Sequence, residues 1–235
     1  MIDWVTSVVI GILAVMLLYQ VAFLAVRRLV RGDPTQSDGS QSLWRTSLFT
    51  SPIIGGAAIL LILVLGRADP GSWGLRFLGL ENAVTVTVTG LVASSVVTAA
   101  QVWVDARRES TVMEVDIKDN LPVFVVSIVF LASIAEELMF RGFLQQFIDN
   151  ALLFASSTSG LVITAGGVVS ALLFGLVHAM PAKITGQSVP MMVTSAFILG
   201  LLAAVSLAST GSILAPIIVH MEFNIMGAVW EYRRK

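Results

Sequence analysis

Between residues 121 and 148 the chain reads LPVFVVSIVFLASIAEELMFRGFLQQFI, an apolar stretch long enough to cross a membrane, interrupted by Glu136, Glu137 and Arg141. Ionisable side chains at membrane depth are costly. They persist where they face a bundle interior or a wet cavity and find partners there. Glu137 and Arg141 stand four apart with the acid on the N-terminal side, the better order for an ion pair along a helix. Glu136 is turned about 100° from Glu137, so one carboxylate can be held by arginine while its neighbour stays free for chemistry. The competing reading is a structural clamp between helices in which Glu136 is incidental.

Composition sets the environment. The chain has 235 residues, a mean hydropathy of +0.89 and only 12% charged residues, about half the charged share of ordinary soluble domains. A polytopic membrane protein is expected. With 14 basic and 15 acidic residues the overall balance identifies no partner. The chain has no cysteine, which excludes disulfides and thiolate chemistry. The first apolar segment opens without a basic n-region or a small-residue cleavage site, so a retained span is expected rather than a removable signal peptide.

Spans of roughly 20 apolar residues fall at 4–26, 48–66, 82–104, 121–148, 160–180, 189–208 and 213–230. The predicted fold is an all-α polytopic membrane helix bundle of about seven transmembrane helices. Its divisions are a three-span segment at 1–104, a charged surface connection at 105–120 and a core at 121–235 built on helices four to seven. Residues 32–46, rich in Ser, Gly, Asp and Gln, read as a flexible exposed loop. The connection 67–80 reads as partly interfacial, with Trp73 and Phe77 at headgroup height. The third span alternates Val and Thr like a strand, but open strands are excluded from lipid, so a helix is expected. Segment 105–120 reads as a solvated surface helix.

The fifth span carries two stripes at four-residue spacing. Gly167, Ala171, Gly175 and Ala179 form a small-residue face suited to close helix contact, and the sixth span repeats it with Ala196, Gly200, Ala204 and Ala208. Beside the first stripe, Gly166, Ser170 and Phe174 lead to His178. Basic residues divide unevenly if spans alternate: an N-out, C-in arrangement puts most Lys and Arg on the inner side, as the positive-inside rule favours. That arrangement raises a conflict of depth. Glu136 falls toward the outer leaflet and His178 toward the inner one, so the chain between them must bend, re-enter or unwind if they are to meet.

The chain has two histidines, His178 and His220, both inside predicted spans, and Asn224 follows His220 on the same helical face. A lone intramembrane histidine is often only an interhelical hydrogen bonder. Two of them, with Glu136, Glu137, Arg141 and Asn224, supply a general base, imidazoles able to donate or bind metal, and an amide donor. Those are the parts needed to activate water and stabilise an oxyanion.

Glu136-Glu137-Leu138-Met139-Phe140-Arg141 with Gly142, Phe174 through His178, and His220 through Asn224 match the EExxxR, FxxxH and HxxxN motifs of a known family. The third is preceded by a fitting lead-in at 211–217. In these motifs, which cover roughly the C-terminal half, the chain resembles the CPBP family (CAAX proteases and bacteriocin-processing enzymes, also called Abi). That family includes the type II CAAX prenyl endopeptidases and lysostaphin-resistance-like proteins. The resemblance implies an intramembrane endopeptidase acting on a membrane-associated peptide or protein. It implies Glu136 as the base that activates water, assisted by His178, with Glu137 and Arg141 as the supporting ion pair. It casts His220 and Asn224 as oxyanion stabilisers and Phe174 as a supporting motif residue.

The family is labelled metalloprotease. Glu136, His178 and His220 would give a catalytic Zn²⁺ three ligands and an open position, yet no H-E-x-x-H helix pre-forms such a site. A metal-free Glu-activated water is the equal alternative. Glu222, about 200° round the helix from His220, faces away from the expected cavity. The expected partners are the lipid bilayer and a peptide or protein substrate, with no nucleic acid. The expected location is a bacterial cytoplasmic membrane. Two other readings compete: a non-catalytic immunity or scaffold protein keeping the constellation as structure, and a transporter using it as a proton relay. No inverted repeat supports the transporter.

Overall fold

Apolar runs of membrane length have few ways to satisfy their own backbone groups, and this chain takes the helical one. The computed structural model describes residues 4–29, 39–66, 69–105, 121–152, 155–158 and 161–234. In chain order these form α1 (Trp4–Leu29), α2 (Gly39–Leu65), a 3₁₀ turn (Pro70–Trp73) and α3 (Leu80–Asp105). A composite helix α4 follows, then a hairpin of β1 (Ala155–Thr158) and β2 (Leu161–Thr164). The chain ends in α5 (Ala165–Val177), α6 (Ala179–Thr185), α7 (Val189–Thr210) and α8 (Leu214–Arg234). Among the described residues six helices are long and apolar enough to cross a membrane, and Leu214–Trp230 is a shorter apolar helix in the seventh position. The fold is an all-α polytopic bundle. The strand-like third span is helical throughout, as the exclusion of open strands from lipid requires.

α4 sits in the middle of the bundle. It is α-helical over Leu121–Phe124, Ser133–Glu137 and Gln146–Leu152, and π-helical over Val125–Ala132 and Leu138–Gln145. π-helical turns are rare and concentrate at functional sites; here two of them bracket the five residues that carry both glutamates. Residues 138–145 are all buried, and α2 packs on this helix with Gly55 against Ala135 and Gly142 against Ile62.

The two stripes of the fifth span serve two neighbours. Gly167, Ala171 and Gly175 pack on α7: a methyl group on Gly200 would lie 3.0 Å from Ala171 Cβ, and one on Gly175 would lie 3.0 Å from the Val193 carbonyl. Small residues let the backbones approach this closely. Gly166, Ser170 and Phe174 face α4 instead; Ser170 Oγ donates to the Phe140 carbonyl at 2.7 Å. On the other side of the bundle α8 lies along α3, with Glu222 against Gly90.

Four expectations are corrected or fall outside the description. The fifth span was expected from residue 160, but Leu161–Thr164 is strand, and the helix opens at Ala165 behind an N-cap in which Thr164 Oγ1 accepts from Gly167 N at 3.0 Å. The expected loop 32–46 is already helical from Gly39. Trp73 is buried in the core beside Gly66 rather than displayed at an interface, whereas Phe77 is exposed; the glycine leaves room for the indole. The surface helix expected at 105–120 lies, beyond Asp105, outside the described residues.

α4 and α5 run side by side, in register at Ser170 and Phe140. At about 1.5 Å per residue His178 lies about 12 Å beyond that contact along α5 and Glu136 about 6 Å beyond it along α4, roughly one turn apart.

Candidate active site

The centre of the site is a fully buried ion pair. Glu137 and Arg141 are both 0% exposed, with Arg141 Nη1 donating to Glu137 Oε1 at 3.2 Å and Nε standing 3.2 Å from Oε2. One hydrogen bond and one close ionic contact thus hold the carboxylate on the guanidinium. The guanidinium carbon lies 4.5 Å from the Phe174 ring centroid, so the aromatic face covers the cation that lipid cannot solvate. Gly200 on α7 opens the space for this: a methyl group there would sit 3.0 Å from Arg141 Nη2.

The pair also orients an imidazole. His220, on α8, has Nδ1 2.7 Å from Glu137 Oε1. A carboxylate held by arginine can only accept, so His220 carries its proton on Nδ1 and presents Nε2. That Nε2 faces Glu136 Oε2 at 3.9 Å. Glu136 is the less enclosed of the two acids, its side chain 23% exposed against 0% for Glu137. The helical rotation between neighbours thus divides their surroundings: Glu137 is held in the ion pair and Glu136 is the more exposed.

His178 is placed by a helix end. α5 stops at Val177, and His178 caps it before α6 begins. Its Nδ1 lies 2.7 Å from the Phe174 carbonyl, an acceptor only, so this imidazole too is Nδ1-protonated and presents Nε2. Phe174 joins the two histidines: its ring centroid is 4.5 Å from that of His178 and 5.5 Å from that of His220, the latter at 88°. Its other side meets Phe140 edge-on at 5.1 Å. The FxxxH spacing therefore supplies both a carbonyl that sets the His178 tautomer and a ring that both imidazoles touch.

Asn224 is engaged with α4. Its Nδ2 donates to the Ile128 carbonyl at 3.2 Å and to Ser133 Oγ at 2.9 Å. Ile128 lies in the first π-helical stretch, where the wider turn leaves a carbonyl open, and Ser133 Oγ reaches the same oxygen at 3.4 Å. Both amide hydrogens are spoken for in this arrangement. Glu222 faces α3, 7% exposed, with Oε2 lacking a hydrogen-bond partner among the described residues.

Among the described residues no three His, Asp or Glu side chains are grouped so as to hold a metal ion. Of the set considered for zinc, Glu136 and His220 approach each other, and His178 joins them through Phe174.

Sequence reasoning missed Ser133, the π-helical turns and Tyr19. Tyr19, from α1, lies with its ring 5.9 Å from that of Phe140 and its hydroxyl buried without a hydrogen-bond partner among the described residues. The available signal was a phenol, one of two in the chain, inside a span otherwise fit for lipid.

Residues 118–226 match a family model described as Type II CAAX prenyl endopeptidase Rce1-like. That segment contains all three motifs, so the resemblance drawn from them stands. No curated protein and no solved structure matches the chain.

Proposed function

We propose, from that family match and from the division of labour between the two glutamates, that the protein is a glutamate-dependent intramembrane endopeptidase. The observation that carries the reading is His220 held by the Glu137–Arg141 pair with its free Nε2 turned toward the more exposed Glu136. Glu136 takes a proton from water, whose oxygen bonds to the scissile carbonyl carbon while the π pair moves onto the carbonyl oxygen. Collapse of that intermediate breaks the C–N bond, and the departing amine takes the proton. Glu137 and Arg141 hold the machinery in register. His178 and His220 each have Nδ1 engaged, and Nε2 is the nitrogen we assign to assist Glu136 in drawing the proton from water. Asn224, given its present bonds, serves by fixing α8 to α4, and a donor role toward the oxyanion requires it to release one of them.

The substrate class we assign is a membrane-associated peptide or protein, with a prenylated C-terminal CAAX-type peptide as the first probe and an unprenylated leader peptide as the second. The orientation we assign has the N-terminus outside, from the distribution of Lys and Arg; a bacterial cytoplasmic membrane is the setting we propose. Zn²⁺ enters no step above. Metal analysis of the purified protein, and its activity with and without chelator, addresses that cofactor directly.

Glu136→Gln is expected to abolish cleavage in lipid nanodiscs while leaving abundance and the size-exclusion profile unchanged. The fully buried Glu137 and Arg141 favour one competing reading, a structural clamp in a non-catalytic scaffold. Under that reading Glu136→Gln, His178→Ala and His220→Ala lower folded yield, and no peptide is cleaved by the wild type.

A further inference from the structure

Where helix ends meet at one end of the bundle they enclose a cavity of about 340 Å³, within the range of small-ligand pockets, roughly 300–1,000 Å³. Its walls come from the 3₁₀ turn and the residues after it, the last turns of α4 and α7, and β2. Gln145, on its wall, stands about 14 Å along α4 from Glu136, and the cavity shares no lining residue with the candidate active site.

Two opposite charges, Arg76 and Asp149, line this cavity and do not meet. Ion pairs among the described residues join Glu136, Glu137, Arg141 and His220, so neither Arg76 nor Asp149 has a charged partner there. Both are nevertheless held in place. The Arg76 carbonyl accepts from Ser212 Oγ at 2.7 Å, and Ile213 N donates to the Gly74 carbonyl at 2.8 Å, which pins this segment to the α7–α8 turn. Asp149 Oδ1 accepts from Gly166 N at 2.7 Å, which ties the end of α4 to the start of α5. Four residues before Asp149, on the same helix face, Gln145 is 1% exposed. Its Nε2 donates to Thr164 Oγ1 and the Ala204 carbonyl, and its Oε1 is left without a hydrogen-bond partner among the described residues. An unpaired buried acceptor is unfavourable and calls for a donor.

The surroundings say what kind of molecule carries that donor. Phe77 and Leu80, just after Arg76, are 98% and 82% exposed. At the end of a spanning bundle such side chains enter the lipid interface, which puts Arg76 at headgroup height. A guanidinium there suits a phosphate, and the Asp149–Gln145 face suits an ammonium that can donate hydrogen bonds. The lining contains no aromatic ring, the feature a quaternary ammonium calls for. A headgroup without an amine would leave Asp149 unmatched.

We propose that this cavity binds the headgroup of a phospholipid bearing a primary amine, of the phosphatidylethanolamine class, with its phosphate on Arg76 and its ammonium on Asp149 and Gln145 Oε1. The lipid bridges the segment after the 3₁₀ turn to α4 and, through Gly166, to α5. The site is independent of the hydrolase reading.

The test is native mass spectrometry of the full chain in detergent, titrated with phosphatidylethanolamine, phosphatidylcholine and phosphatidylglycerol of identical acyl chains. Phosphatidylethanolamine is expected to bind about tenfold tighter than the other two, and Arg76→Gln and Asp149→Asn are each expected to remove that preference, about tenfold being the effect of one charged hydrogen bond. Asparagine keeps an oxygen for Gly166 N, and Arg76 is exposed, so both variants are expected to melt as the wild type does without added lipid. If Asp149→Asn melts lower, Arg76→Gln decides alone. Equal binding of the three lipids, which is annular lipid only, or an undiminished preference in Arg76→Gln would overturn the proposal. So would soluble phosphoethanolamine raising the wild-type melting temperature as far as the lipid does, which assigns the cavity to a soluble zwitterion, or displacement of the lipid by a farnesylated CAAX-type peptide, which assigns it to substrate.

Discussion

Glu137 and Arg141 show how strongly one residue can depend on another in this setting. Each is fully buried, so removing either partner strands a charge, at a cost of about 3–5 kcal/mol. Arg141→Leu is therefore expected to lower folded yield and thermal stability by that order, measured by size exclusion and a melting scan, whereas Glu136→Gln is expected to leave both unchanged. The contrast separates a supporting residue from a reacting one. Glu222 gives a second case. Its carboxyl lies against the bare backbone of Gly90, so Gly90→Ala is expected to force α3 and α8 apart and destabilise the protein, with Gly90→Ala/Glu222→Ala recovering part of the loss in a double-mutant cycle.

At the scale of elements, the decisive features are how α4 is wound and how closely α5 and α7 approach. The first π-helical stretch presents the Ile128 carbonyl to Asn224 and Ser133, tying α8, and with it His220, to the helix that carries the glutamates. Ser133→Ala removes one acceptor from Asn224 and is expected to cost about 1 kcal/mol of stability and to reduce cleavage through misplacement of His220, with Ser133→Thr restoring part of it. On the other flank, Gly200 meets both Ala171 and Arg141. A leucine there would have to displace the α5–α7 contact or the guanidinium, so Gly200→Leu is expected to abolish folding or activity, whereas substitution at lipid-facing Leu172 should be silent in the same assays.

For the whole molecule, the candidate catalytic residues come from three helices that are far apart in the chain: Glu136 from α4, His178 from the end of α5 and His220 from α8. Glu136 and His220 approach to 3.9 Å, and Phe174 touches both imidazoles. Reporter fusions at the 32–37 and 106–118 connections are expected to be cytoplasmic, and fusions at 67–69 external, if the basic-residue asymmetry sets orientation. The reverse pattern would place the pocket mouth on the other side of the membrane.

Much of this was legible in residue order alone. A run of apolar residues of bilayer length that does not close a barrel can only be helix in lipid, which determined the class of fold and even the helicity of the Val/Thr-rich third span; six of the seven expected spans are helices long enough to cross, and the seventh, Leu214–Trp230, is shorter. Charges inside such runs must converge, which singled out Glu136, Glu137, Arg141, His178 and His220 before any coordinates. Periodicity could also assign two faces to the fifth span, because spacing along a helix is a local property. What it could not carry was anything set by contacts distant in sequence. The β-hairpin ahead of α5, the π-helical turns, the engagement of Asn224 with the Ile128 carbonyl and the approach of Tyr19 to Phe140 all depend on which helices become neighbours and at what height. A single residue's pattern along its own helix holds no record of that; only packing of the assembled bundle decides it.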